Sequence, residues 1–262
     1  MKRFIHKQIS LHFFEKNESQ KNTLIFIHGN SHSLRSFCWQ MESPLLSSFR
    51  LIAIDLPGHG ESSTGTYSIG EFSRLINAFI RSLALEHVVI VGHSLGGHIA
   101  LNILKTGLKP KGLFIFGTPP LKNPFDPSAF LPNVKAEPLR KLKPTHQEIL
   151  ELVEELNYSG DDRVVAIEDF LKTDPRFRAE ILSDLINGIH EDEVQLALSS
   201  PSKISFLLAT HETLINNNYL KQEFLSQTSH IDFLEIDTGH SPHVEKSEFF
   251  NTILLRFCQK VF

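Results

Sequence analysis

Six short apolar runs, set apart by helix-type patterns, constrain the fold more than any other feature of this sequence. They are TLIFIH at 23–28, RLIAID at 50–55, HVVIVG at 87–92, GLFIFG at 112–117, ISFLLAT at 204–210 and HIDFLEI at 230–236. Several lack the polar alternation of a half-solvated strand, which is the pattern of strands covered on both faces. Amphipathic helices are expected near 68–85, 96–106, 216–227 and 244–259. Strands alternating with helices build a mostly parallel α/β sheet. Residues 3–15 are expected to add an antiparallel hairpin at its edge.

The alternation breaks once. From about 119 to 201 the strand pattern is absent. Thr145 with Glu148 forms a capping box, and Asp174 before Pro175 marks another helix start. Prolines 119, 120, 124, 127 and 132 mark the entry to this stretch and Pro201 its exit. The expected organisation is a core of 1–118 and 202–262 interrupted by a helical insertion at 119–201.

A net charge of -4 excludes the basic footprint of a nucleic-acid or anionic-membrane binder. No apolar run approaches the length of a membrane span. His6, Lys7 and Gln8 interrupt the N-terminal stretch, so no secretory leader is read there. Cys38 and Cys258 stand far apart, outside any metal-type spacing, which fits reduced thiols and a cytoplasmic location. Both monomer and homodimer remain open.

The chemistry starts from Gly92-His93-Ser94-Leu95-Gly96, between a strand and a helix pattern. A serine in such a tight turn sits on strained backbone, and flanking glycines remove the side chains that would clash there. A hydroxyl needs a base to become a nucleophile. His240 follows the last strand, in the loop IDTGHSPHVE, at the strand end where open α/β sheets build their sites. His93 is expected to point elsewhere and His98 to pack. In the chain order serine, acid, histidine, the orienting acid follows the strand at 204–210, where Glu212 stands. Asp237 is the rival. The backbone N–H groups of Leu95 and Asn30 are expected to form the oxyanion hole. Asp55 and His59, in DLPGHGES at 55–62, read as loop-shaping residues. The histidines do not cluster at metal-ligand spacing.

Taken together, HGNSHS at 28–33, DLPGHGES at 55–62, GHSLGGH at 92–98 and GHSPHVE at 239–245 resemble the α/β-hydrolase fold enzymes. The resemblance implies an eight-stranded, mostly parallel sheet and a lid at 119–201, between the sixth and seventh strands. It also implies the triad Ser94, Glu212 and His240. At the acid position this chain reads Ala209-Thr210-His211-Glu212, where members often carry a glycine followed by an aspartate. A narrower resemblance, through HGNS, DLPGHG, SLGGHI, GLFIFGTPP and the glutamate, is to the N-acylhomoserine lactonases of this fold. His93 stands where those enzymes have tryptophan.

The expected function is cleavage of a small ester or lactone through an acyl-enzyme on Ser94, with no cofactor. Alternatives on the same scaffold are a non-catalytic ligand binder and a hydrolase or acyltransferase acting on another bond. Phe125, Phe130, Leu131, Tyr158, Phe170 and Phe177 are the expected apolar contribution of the insertion, with Tyr158 a candidate hydroxyl donor to the substrate carbonyl. No arginine pair is evident for an anionic substrate, which leans toward a neutral acyl compound.

Overall fold

The computed structural model describes residues 1–224 and 229–262. Eight strands form one sheet in the order β1-β2-β4-β3-β5-β6-β7-β8. They are β1 (Lys2–His6), β2 (Ile9–Lys16), β3 (Asn22–Ile27), β4 (Arg50–Ile54), β5 (His87–His93), β6 (Gly112–Phe116), β7 (Lys203–Ala209) and β8 (Ile231–Ile236). From β4 to β8 every pairing is parallel; β1 pairs with β2, and β2 with β4, antiparallel. The edge hairpin expected at 3–15 is β1–β2.

The unbroken apolar runs are explained by helices on both faces. On β3, Ile25 and Ile27 face one core while Leu24 and Phe26 face the other. On β5, Val88 and Ile90 part in the same way from Val89 and Val91. One core is closed by α2 (Ile69–Ser82) and α3 (Leu95–Ile103), through residues such as Phe72, Phe79 and Ile99. The other is closed by α1 (Cys38–Met41) and α10 (Ser247–Val261), through Met41, Phe250, Leu254 and Phe257. Because side chains alternate across a strand, a doubly covered strand needs apolar residues at every position.

Between β6 and β7 the chain runs through α4 (His146–Glu155), α5 (Gly160–Lys172), α6 (Pro175–Ile186) and α7 (Glu193–Ser199), with no strand among the described residues. Thr145 caps α4 with Glu148 returning the bond, and Asp174 caps α6 with Pro175 in its first turn. Three acids, Asp169 and Glu193 buried and Asp174 partly buried, tie this segment to the rest of the fold. Asp169 accepts from Ser33 Oγ at 2.6 Å and pairs with Arg35. Asp174 accepts from Tyr67 Oη at 2.7 Å. Glu193, with no exposed surface, accepts from Asn102 Nδ2 at 2.7 Å, Leu121 N at 2.9 Å and the His98 ring at 2.7 Å.

The helix expected at 216–227 is α8 (Asn217–Glu223), and residues 225–227 of that expectation lie outside the described residues. After β8 come α9 (Pro242–Glu245) and then α10. Cys38 and Cys258 are unpaired. No helix among the described residues is long and apolar enough to cross a membrane.

Candidate active site

Ser94 occupies the single residue between β5 and α3. Its backbone is at φ 50 and ψ -114, a conformation a side chain rarely adopts. Neighbours hold it there: Ser94 N–H donates to Phe116 O at 2.9 Å, and Ser94 O accepts from Gly97 N at 2.9 Å and Thr118 Oγ1 at 2.8 Å. The flanking glycines are steric requirements. A Cβ on Gly92 would lie 2.5 Å from Gly96 O, and one on Gly96 only 2.0 Å from Ile27 O. Helix α3 therefore starts against the end of β3, which turns the serine away from the sheet.

His240 lies in the loop after β8 and is 5% exposed. Its Nδ1 is 2.9 Å from Glu212 Oε2 and 3.0 Å from Oε1. A carboxylate can only accept, so Nδ1 carries a proton, and in the neutral ring Nε2 is then the acceptor. Glu212 comes from the loop after β7. The N–H groups of Thr213 and Leu214 donate to its Oε1 at 3.0 and 2.9 Å. Burial opposes its charge, but His240 and these N–H groups outweigh burial and hold the carboxyl below the ordinary glutamate range. Asp237 is engaged elsewhere. It accepts from Lys246 Nζ at 2.7 Å and pairs with His211 at 2.8 Å, its side chain 72% exposed.

Asn30 lies on the loop after β3 and Leu95 at the first position of α3. Neither N–H donates a hydrogen bond within the described residues. Asn30 is braced through its side chain, which donates to Leu139 O at 3.0 Å and accepts from Ser31 Oγ at 2.7 Å.

Ser94, Leu95, Asn30 and His240 open onto one cavity of about 500 Å³, within the usual range for small-molecule sites. Residues 119–201 supply much of its apolar wall, including Phe125, Phe130, Leu131, Ile181, Leu185 and Ile189. Three of the six apolar residues expected from that segment therefore reach it. Phe170 and Phe177 pack inside instead, in separate clusters.

Tyr158 is a correction. It does not line the cavity. It is 5% exposed, packs among Leu156, Phe170 and Leu214, and sets its hydroxyl 3.4 Å from His32 Nε2. The turn after α4 carries it against His32, which sequence spacing does not reveal.

The other histidines have structural placements. His93 stacks on Phe116, and its Nε2–H donates to His240 O at 3.2 Å. Burial holds it well below the usual imidazole range. His59 Nε2 accepts from Ser31 N at 3.3 Å, so its Nδ1–H donates to Pro57 O at 3.1 Å and the ring is neutral. Asp55 accepts from Leu34 N at 2.8 Å and Glu61 N at 2.9 Å, as a loop-shaping residue does. His98 lies on α3, at the cavity edge, paired with Glu193. Among the described residues no group of three or more His, Cys, Asp or Glu could hold a metal ion.

Sequence reasoning missed the two arginines that line the cavity, Arg178 and Arg140. They remove the ground for expecting a neutral acyl group. Neither belongs to a motif. Arg178 lies on α6 within PRFRAEILSDLI, which reads as an ordinary amphipathic helix.

The comparisons with known proteins bear on the family and the fold. The chain is 34% identical over 104 residues to the dihydrolipoyllysine-residue acetyltransferase component of the acetoin cleaving system of Pseudomonas putida. That match takes in 38% of this chain and 27% of the relative, so the chain spans about a quarter of the relative's length. The fold is shared with the crystal structure of the N-acyl homoserine lactonase AidH complexed with N-butanoyl homoserine, at TM-score 0.89 and 20% identity over 99% of this chain and 96% of that one. It is shared too with the esterase RhEst1 from Rhodococcus sp. ECU1013, at TM-score 0.81 and 16% identity over 99% and 98% of the two chains. At these identities the likeness is one of fold. A family model described as the alpha/beta hydrolase family matches residues 24–253, nearly the whole chain. With the eight-stranded sheet, the strained serine between β5 and α3 and this match, the chain belongs to the alpha/beta hydrolase family.

Proposed function

We propose that the protein cleaves carboxylic esters or lactones through an acyl-enzyme on Ser94. One observation carries the reading: His240, held 2.9 Å from the buried Glu212 carboxylate, borders the same cavity as the strained Ser94. His240 Nε2 takes the serine proton as Oγ attacks the carbonyl. Glu212 holds the tautomer and stabilises the imidazolium. The N–H groups of Asn30 and Leu95 bind the tetrahedral oxyanion, and Leu95 adds the positive end of α3. His240 then returns the proton to the leaving oxygen. Water attacks the acyl group with His240 again as base, releasing the carboxylic acid. Every step uses side chains of this chain and water, so the scheme calls for no cofactor.

Residues 119–201 act as the lid in this reading, supported by the apolar wall they add above Ser94. A cavity of about 500 Å³ with such a wall suits a small-to-medium acyl chain. The leading specific candidate is N-acylhomoserine lactone opening, supported by the GTPP at 117–120, the glutamate at 212 and the fold shared with AidH. The test ranks kcat/KM for p-nitrophenyl esters of increasing length against N-acylhomoserine lactones, with fluorophosphonate labelling of Ser94 in parallel. Ester turnover without lactone opening leaves an esterase. A Ser94 that resists the probe in folded protein overturns the mechanism.

A further inference from the structure

The cavity that Ser94 opens onto also contains a buried cation. Arg178 on α6 is 4% exposed and lines the cavity. Its Nε–H donates to Lys141 O at 2.8 Å, Nη1 donates to Ser31 Oγ at 3.0 Å, and Nη2 lies 3.5 Å from Leu142 O. The guanidinium lies over the Phe170 ring, 4.5 Å from its centre. All these partners are neutral. Asp174, the acid whose field reaches Arg178, is taken up by Arg176 and Tyr67. Among the described residues Arg178 has no carboxylate partner.

A buried charge without a counter-ion is unfavourable, and burial does lower the Arg178 pKa. Three N–H groups are engaged, the third weakly, of the five that a guanidinium carries. The remaining donors belong to a desolvated planar fork, which suits carbonyl and carboxylate oxygens. Arg140 lines the same cavity and likewise has no ion pair among the described residues. Asp184 is the acid of that lining, and burial, then the charge of Glu180, push its carboxyl up. The balance of charge at this wall is positive.

We infer that Arg178 is a specificity-determining residue, which binds a second oxygen acceptor of the substrate, a carbonyl or carboxylate oxygen set a short spacer away from the scissile carbonyl. The spacer follows from Ser31. Arg178 donates to it, and it directly follows Asn30, the proposed oxyanion donor. The inference rests on the hydrolase reading of Ser94 and deepens it.

The test compares three p-nitrophenyl ester series in the intact protein: plain alkanoates, oxo-alkanoates and half-esters of dicarboxylic acids, each with two to four methylenes beyond the scissile carbonyl. The expected result is a kcat/KM at least tenfold higher for the oxo-alkanoate or the half-ester than for the plain ester at one spacer length. Which series wins identifies a carbonyl or a carboxylate as the acceptor. In Arg178→Met that ratio should collapse toward one. A residue that merely pins α6 to the Ser31 loop would change all three series together and leave the ratio alone. Should Arg178→Met fail to fold, Arg178→Lys, which keeps the charge but loses the fork, should lower the ratio several-fold. A wild-type ratio near one at every length, or a ratio that survives the substitution, overturns the inference while plain-ester turnover leaves the hydrolase reading standing. No turnover in any series, with Ser94 unlabelled by a fluorophosphonate, overturns both.

Discussion

His240 donates through Nδ1 to Glu212, 28 residues earlier in the chain, at 2.9 Å, while Asp237, three residues before His240, faces Lys246 and His211. In the proposed mechanism this contact makes Glu212 the orienting acid. Glu212→Gln should lower kcat by about 10³-fold or more, since an amide can no longer favour the productive tautomer. Asp237→Asn should stay within about threefold of wild type, because it removes only exposed ion pairs. Equal losses in the two variants would shift the orienting role to Asp237.

The backbone strain at Ser94 is readable in stability. Ser94→Ala and Ser94→Gly should both lose nearly all turnover. The glycine variant should be the more stable of the two by about 1 kcal/mol, because only glycine occupies a positive φ without strain. Urea unfolding of the pair decides this. A glycine variant less stable than the alanine variant would contradict the strained elbow.

His28, His32 and His59 are buried, and burial lowers each to about 3. In the unfolded chain they return to an ordinary imidazole value of about 6.5. Below that value the unfolded state binds more protons than the folded one. Their contribution to stability is therefore complete above about pH 6.5 and is lost as pH falls toward 3, at about 1 kcal/mol per histidine by pH 5.5. Urea midpoints measured from pH 8 down to pH 4.5 should fall steadily below pH 6.5. A flat profile across that range would refute the neutral buried state of these rings.

Glu193 anchors the helical segment to α3 by accepting from Asn102 and His98, and to the start of that segment by accepting from Leu121 N. Glu193→Ala strands the buried donors of Asn102 and Leu121 and the partly buried His98 ring, and should cost about 3 kcal/mol. The same variant should raise KM more than it lowers kcat, since the segment walls the cavity but does not touch Ser94 Oγ chemistry. A stability loss within 0.5 kcal/mol, roughly the scale of a surface change, would mean that this network does not hold the segment.

The local parts of the protein were legible from the chain itself. Apolar runs such as Val88–Val91 predicted doubly covered strands, because a strand's surroundings are written into its two alternating faces. Gly92 predicted the elbow, because the clash it avoids lies within the turn, against Gly96 and Gly97, and Thr145 and Asp174 predicted helix starts, because capping is a contact over two or three residues. Contacts between distant segments were decided only by the tertiary structure. Asp237 is nearer to His240 in sequence than Glu212, yet β7 and β8 lie side by side and bring the loop after β7 against the imidazole. Tyr158 and Arg178 exchanged the places their residue types suggest, the tyrosine packed behind His32 and the arginine at the cavity wall. Which side chain of an inserted helix meets the site depends on the rotation and seating of that helix against the sheet. Packing of many remote side chains sets that seating, and no spacing along the chain encodes it.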